Sequence, residues 1–379
     1  MKLLYVYPQH HTVSFTLVAR KHVEYMRGLE LAEIQELDEL SLPSFTPHVK
    51  YNAILHPWIY IYHRLLQTKL NSLSEMLRGR LPMYLKWWRS NYSQLVAVDV
   101  CDSDRMSEYA VELLNQADVI VVPSNYCVEV YRSSGVRIPV YRVPHGVDSE
   151  WYTTPNLWDG APARSLNPAL LEVYMYKVKR NKKLLLFWLW HSSTRKGWPE
   201  VREVYSRLVR ERRDVVLLLK TVHSNTPEFQ EVMHLGAIQV YGWLSEYEKM
   251  ALYDLADVTL MFSRGGAFEL SALESLARGV PVFTSSKGSW TDYVPPYLQV
   301  RAGERVKVFE GNAIHVGYGY KVDVESAVDR IHDILENYDE YRGRVEEWRG
   351  KVLVKEYRWD RVALTLADVV RLNPQATIG

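Results

Sequence analysis

Cysteine is almost missing from this 379-residue chain, which holds only Cys101 and Cys127. Two are too few for a disulfide framework and lack the spacing of a zinc site, so a reducing compartment is expected. Long apolar runs are missing too: none approaches the roughly 18 residues of a membrane span. The opening MKLLYVYPQHH reads as a buried strand rather than a signal peptide. Neither charge dominates, with 46 Lys and Arg against 45 Asp and Glu, so no global field draws the chain to nucleic acid. The 12 histidines show no HExxH or other metal spacing. No GxGxxG follows a first strand, which argues against a dehydrogenase. What remains is a cytoplasmic globular protein, 47% hydrophobic and able to build a sizeable core.

Short apolar runs alternate with helical patterns. KLLYVY, NAILHPWIY, LVAVDV, DVIVVPS and PVYRVPHGVD read as strands, with a helix around FTLVARKHVEYMRGL. The pattern weakens between Trp151 and Arg180, where YTTPNLWDGAPARSLNP marks a linker. It then restarts with KLLLFWLW, DVVLLLK, AIQVYGWL, DVTLMFS and VPVFTSS, separated by helices, and ends in a charged helical tail from about Val324. The expectation is an α/β protein of two Rossmann-like domains facing across a cleft. Their bounds are 1–165 and 166–345, with a helical segment 346–379 returning to the first domain. Ligands of open parallel sheets bind beyond the carboxyl ends of strands, so candidate residues should follow strands.

Several do. In SRGGAFELSALESLARGVPVF (263–283), Gly265 and Gly266 would leave backbone N–H groups uncovered where a helix begins, an anion site to which Arg264 adds a mobile charge. A tight strand-to-helix turn would need the same glycines. Arg195 and Lys196 lie between a strand and a helix, where a diphosphate would be clamped. Lys220 ends another strand, directed either to that site or to solvent. Gly242 would let a flat base lie beside Trp243 and Leu244, although Trp243 also suits packing.

Together these pieces resemble the GT-B glycosyltransferases, in particular the retaining family 4 group. The resemblance rests on RKG (195–197), YGWLSEYEKMALYDLADV (241–258), FSRGGAFELSALESLARGVPVF (262–283), ADVIVVPSNYCVEVYRSSGVRIPVYRVPHGVD in the first half and EYRWDRVALTLADV in the tail. It covers the chain from about Ala97; before that it rests on pattern alone. It implies transfer of a sugar from a nucleotide-diphosphate sugar, UDP- or GDP-linked, to an acceptor hydroxyl, with retention of anomeric configuration, no metal and no further cofactor. It implies a glycan, lipid or protein acceptor and no nucleic-acid partner. By the same resemblance Lys196 and Arg195 hold the diphosphate, the Gly242–Leu244 backbone receives the base, Glu274 binds the ribose, and the N–H groups of Ala267 and Phe268 face phosphate or sugar.

Two positions depart from the family pattern. The first of its paired glutamates falls on Gly266, and Glu269, expected one turn into the helix, is a partial substitute. The arginine expected before RKG is His191. On the acceptor side, His10, His11 and Asp102 follow first-half strands, and His145 is expected at the hinge. The stretch 62–91 carries Arg64, Lys69, Arg78, Arg80, Lys86 and Arg89 against Glu75, with Trp87 and Trp88 interleaved. It suits either peripheral contact with an anionic membrane or acceptor, or a helical pair packed by its apolar face. The alternatives to a transferase are a nucleotide-sugar epimerase, whose acidic and histidine pattern is not matched, and a relative that binds nucleotide or carbohydrate without turnover.

Overall fold

The structure is a computed structural model describing residues 1–11, 13–69, 88–159, 167–189, 192–222 and 227–372. It divides into two compact units. The first comprises Met1–His145, Gly311–Val316 and the tail from Trp359; the second comprises Gly146–Glu310 and Gly317–Arg358. The division thus falls at 145/146 rather than at 165/166.

The first unit holds a six-stranded, all-parallel sheet of β1 (Lys2–Tyr7), β2 (Glu33–Asp38), β3 (Tyr51–Leu55), β4 (Tyr92–Val98), β5 (Val119–Val122) and β6 (Val140–Arg142), in the order 2-1-3-4-5-6. The interior strand β5 (VIVV) is wholly buried, as a strand covered on both faces requires. β2 (EIQELD) escaped the sequence reading because an edge strand pairs on one side only and needs no apolar run. NAILHPWIY is a strand only as far as Leu55; a helix, Trp58–Lys69, takes over within it. The helices Ser14–Gly28 and Trp359–Arg371 share one core with β1. In WDRVALTLADVVR the buried residues Trp359, Val362, Ala363, Leu366, Ala367 and Val370 recur at three- and four-residue steps, so one face of the tail helix is apolar. Each fully buried Val or Leu contributes about 1.5–3 kcal/mol relative to exposure. Gln94 Nε2 donates to Leu372 O at 2.8 Å and fixes the end of that helix on β4.

The second unit is another six-stranded parallel sheet: β7 (Lys183–Leu189), β8 (Val215–Thr221), β9 (Ile238–Tyr241), β10 (Val258–Met261), β11 (Val282–Ser285) and β12 (Gln299–Val300), in the order 12-11-10-7-8-9. An antiparallel pair follows, β13 (Ala302–Lys307) with β14 (Tyr318–Val322), which carried no strand signal in the sequence. The expected linker is not loop throughout: Glu150–Thr153 and Pro168–Arg180 are helices, and Trp151 and Trp158 enter the core of this unit. The sheet order reverses between β7 and β10, and a crevice opens beyond the strand ends at such a switch point.

The stretch 62–91 is described only at its ends. There Arg64 pairs with Glu39 at 2.6 Å, Arg89 pairs with Asp118, and Trp88 is buried against Tyr62 and Tyr92. Trp88 therefore belongs to the core and not to a membrane-facing surface. Arg78, Arg80, Lys86 and Trp87 lie outside the described residues, and so does the Lys69 side chain. Among the described residues no helix is long and apolar enough to cross a membrane.

Candidate functional site

The loops leaving β7 and β10 meet at the switch point. Gly197 makes this approach possible: its φ is +79°, and a Cβ there would lie 2.1 Å from Phe262 O, so no side chain fits. The contact brings Arg195 and Lys196 against the loop 263–269. Arg195, 9% exposed, donates from Nη1 to Gly265 O at 3.0 Å, its guanidinium lies 5.6 Å from the Phe309 ring centroid, and its carbonyl accepts from Arg264 N at 2.7 Å. Lys196 Nζ donates to both carboxylate oxygens of Glu269, at 2.8 and 2.6 Å. Ser263 Oγ donates to Glu269 Oε1 at 2.7 Å. Tyr293 brackets the same residue, accepting from Glu269 N at 3.1 Å and donating to Glu269 O at 2.9 Å.

This arrangement corrects three expectations. The helix begins at Leu270, not at the glycines, and Glu269 is its N-cap residue rather than a residue one turn inside. Gly265 to Phe268 form a loop, in which Gly266 O accepts from Ser289 Oγ at 2.6 Å and Phe268 stacks on Tyr293 at 4.6 Å. Arg264 is no mobile charge: it grips Glu200 through Nη2 at 2.7 Å and Nε at 3.4 Å, both side chains nearly buried. The third concerns Lys220, which is 2% exposed and so reaches neither solvent nor an open site. Its ammonium bonds the carbonyls of Thr221, at 3.1 Å, and Gly242.

The absence of a side chain at 266 has a steric counterpart. A Cβ on Gly266 would meet Glu269 Oε1 at 2.6 Å and Arg195 Nη1 at 3.6 Å. The Glu269 carboxylate thus fills the space into which a side chain at 266 would grow.

Glu274 stands in a separate cluster. Its Oε1 accepts from Lys249 Nζ at 3.2 Å and its Oε2 from Tyr253 OH at 2.8 Å. Burial works against the Lys249 ammonium, but the Glu274 and Glu246 carboxylates outweigh it and hold its pKa above the usual range. Trp188, on β7, stacks on Tyr253 at 5.6 Å, and Lys220 Nζ lies 5.6 Å from the same indole. Past β9, Gly242 has φ +94° with open space where a Cβ would point, and Trp243 is 60% exposed. Lys220 therefore fixes the backbone turn at Gly242 from beneath.

Burial lowers the Lys220 pKa from 10.5 to about 8. Between those values the unfolded chain binds more protons than the folded one, so this residue makes stability rise with pH through that window. The melting temperature of the wild type minus that of Lys220→Met should increase from about pH 8 to pH 10.5. A flat difference across a pH series of thermal melts would show that the lysine is not held by burial.

In the first unit, His10 and His11 are exposed after β1, and Asp102 N donates to His315 Nδ1 at 3.3 Å after β4. Sequence reasoning missed a buried group in the same unit. Tyr5 OH bonds His22 Nδ1 at 2.8 Å and His56 Nδ1 at 3.1 Å, and the two imidazoles stack at 5.8 Å. One hydroxyl proton cannot serve both nitrogens, so one histidine accepts from Tyr5 and the other donates to it. Burial, with His145 nearby, brings His22 down to about 3; burial alone brings His145 to about 3. Both rings are neutral near pH 7. His145 is the last residue of the unit's long N-terminal part, 6.1 Å from Trp359. Only long-range packing reveals this group, because its members are scattered from residue 5 to residue 359. His191 lies outside the described residues.

Comparison with known proteins places this geometry. A model of family 4 glycosyltransferases in conflict systems matches residues 240–366, which span the Gly242 turn and the Glu269–Glu274 segment. The uncharacterized protein 356 of Sulfolobus islandicus rod-shaped virus 1 is 31% identical over 377 residues, 97% of this chain and 98% of that one. A protein provisionally named glycosyltransferase 45, of Sulfolobus islandicus filamentous virus (isolate Iceland/Hveragerdi), is 22% identical over 314 residues, 80% of this chain and 78% of that one. A solved structure of the E. coli trehalose-6-phosphate system, bound with UDP-2-fluoro glucose, superposes with a TM-score of 0.64 at 10% identity, covering 98% of this chain and all of that one. The two parallel six-stranded sheets are those of the GT-B glycosyltransferases. The chain is a GT-B glycosyltransferase of the family 4 type, and it shares a family with the uncharacterized protein 356 of the rod-shaped virus.

Proposed function

We propose that this glycosyltransferase moves a sugar from a nucleotide-diphosphate sugar to an acceptor hydroxyl, with retention of anomeric configuration and without a metal. The observation that carries the reading is the convergence of Arg195, Lys196 and the side-chain-free loop Gly265–Gly266 at the switch point between β7 and β10. In the proposed reaction the bond between the anomeric carbon and the phosphate oxygen breaks, and negative charge grows on the departing diphosphate. Fixed cations aimed at that charge lower the barrier more than any other single contribution. Lys196 turns its ammonium to the phosphate, Arg195 adds its guanidinium, and the Ala267 and Phe268 N–H groups line the same side. The acceptor hydroxyl attacks from the face the phosphate leaves, and the phosphate takes its proton, so no protein nucleophile is needed.

The other residues bind and position. Glu269 receives a donor-sugar hydroxyl in the space that an acidic residue at 266 would otherwise fill. Glu274 receives the ribose, and the open turn Gly242–Leu244, held by Lys220, receives the base. The E. coli neighbour, bound with UDP-2-fluoro glucose, supports a uridine or comparable nucleotide as the carrier. Asp102, His10 and His11 are the proposed acceptor contacts. Cytoplasmic residence is part of the same proposal, and so is contact of the basic residues of 62–91, without Trp88, with an anionic acceptor or membrane.

A thermal-shift series with UDP, GDP, ADP and their sugar conjugates tests this. One nucleotide, at about 100 times its dissociation constant, should stabilise the protein by roughly 2.7 kcal/mol, and Glu274→Ala should lose the effect. Conjugates of that nucleotide are then assayed for transfer. If every nucleotide and conjugate leaves the melt unchanged, the donor reading fails.

A further inference from the structure

The two cysteines, far apart in sequence, are neighbours in the fold. Cys101 lies in the loop after β4, and Cys127 in the first turn of the helix Asn125–Ser134 that follows β5. β4 and β5 are adjacent parallel strands, so the segments leaving their carboxyl ends run side by side. Ser124 fixes the helix start, its Oγ accepting from Cys127 N at 3.3 Å. Both cysteines are fully buried, with Sγ atoms 2.7 Å apart, and Cys127 Sγ lies 3.7 Å from Cys101 O. Among the described residues no group of three or more His, Cys, Asp or Glu could hold a metal, so the pair is not part of a metal site there.

We propose that Cys101 and Cys127 are a redox-modifiable pair that closes to an intrachain disulfide by exchange with a small-molecule disulfide such as oxidised glutathione. The thiolate of one cysteine attacks the S–S bond of the oxidant, forming a mixed disulfide and expelling one glutathione thiolate. The thiolate of the other attacks the protein-bound sulfur and expels the second. The two cysteines together lose two electrons and two protons, and one oxidised glutathione becomes two reduced molecules. Burial confines the exchange to moments when the loop opens, and it shields the closed bond afterwards. The bond would cross-link a ring enclosing β5 and the helix Glu108–Leu114, restricting the unfolded chain. It would also pin the loop carrying Asp102, whose N–H is already held by His315. None of this depends on the donor-site proposal.

The test uses the full-length protein, fully reduced and then treated either with reduced or with oxidised glutathione. Both samples are unfolded in guanidinium, alkylated with iodoacetamide and weighed. The oxidised sample should be lighter than the reduced, unalkylated protein by two hydrogens and take up no label. Its non-reducing digest should contain one peptide pair joining Cys101 to Cys127, and its melting temperature before unfolding should exceed that of the reduced sample. The Cys127→Ser protein should show no such mass loss. Alkylation of both cysteines after oxidation would overturn the proposal, and so would persistent glutathione adducts or a link between two chains.

Discussion

Lys196→Ala protein should transfer sugar with a kcat lower by roughly 10²–10³-fold, the loss that follows removal of one donor to a developing negative charge. The substitution does a second thing. Glu269 is 5% exposed and takes two hydrogen bonds from Lys196, so removing the ammonium leaves a nearly buried carboxylate with Ser263 as its remaining side-chain donor. An uncompensated buried charge destabilises strongly, by roughly 3–5 kcal/mol where no water reaches it. A loss of activity alone would therefore not separate a phosphate contact from a structural counter-ion. The double variant Lys196→Met with Glu269→Gln separates them, because it removes both charges of the pair at once. It should melt closer to the wild type than Lys196→Ala does while remaining as inactive. Recovery of transfer in the double variant would mean that Lys196 serves only to neutralise Glu269, and the donor role would pass to Arg195.

The largest stability effect is expected from Arg278, a residue to which the sequence attached no role. Its side chain is 2% exposed and that of Asp254 is 1% exposed. Nε and Nη2 of Arg278 donate to the two Asp254 oxygens at 2.8 and 2.7 Å. The remaining donors reach the carbonyls of Trp151 at 3.1 Å, Thr154 at 2.8 Å and Pro155 at 3.0 Å, and Asp254 accepts Leu157 N at 2.9 Å. One guanidinium thus fixes the whole path of residues 151–157 within the second unit. Arg278→Ala leaves a buried carboxylate and three carbonyls without these bonds, and should cost about 3–5 kcal/mol. For a unit of this size that corresponds to a fall of roughly 6–20 °C in melting temperature. Asp254→Asn in the same background should recover part of it, since a neutral amide is cheaper to leave unpaired. A shift of only a degree or two in the calorimetric melt of Arg278→Ala would show that the network contributes little.

Much of the fold is legible in local pattern. DVIVVPS, DVVLLLK and DVTLMFS are short apolar runs bounded by polar residues and rich in β-branched side chains, so they read as buried strands. Their alternation with amphipathic stretches determined two parallel sheets, and the loops after β7 and β10 were marked out as the place for chemistry. Arg195, Lys196, Gly265, Gly266 and Glu269 were legible as candidates because each follows a strand. β2, β13 and β14 were not legible, because edge strands and a small antiparallel pair carry mixed, half-exposed residues with no apolar run.

What each candidate does was decided by tertiary structure alone. Arg264 looked free beside two glycines, yet Glu200, 64 residues earlier in the sequence, claims it. Lys220 looked like a strand-end charge, yet the turn at Gly242 closes over it and its proton affinity falls with the loss of water. Glu269 was expected inside a helix, but Lys196, Ser263 and Tyr293 together hold it at the cap. The difference has one physical cause. Strand and helix periodicity comes from neighbours within a few residues, which the sequence displays. The state of a charged side chain is set by partners 21 to 73 residues away that the fold brings to within 3.2 Å, as Lys249 and Tyr253 are brought to Glu274 and Lys196 to Glu269.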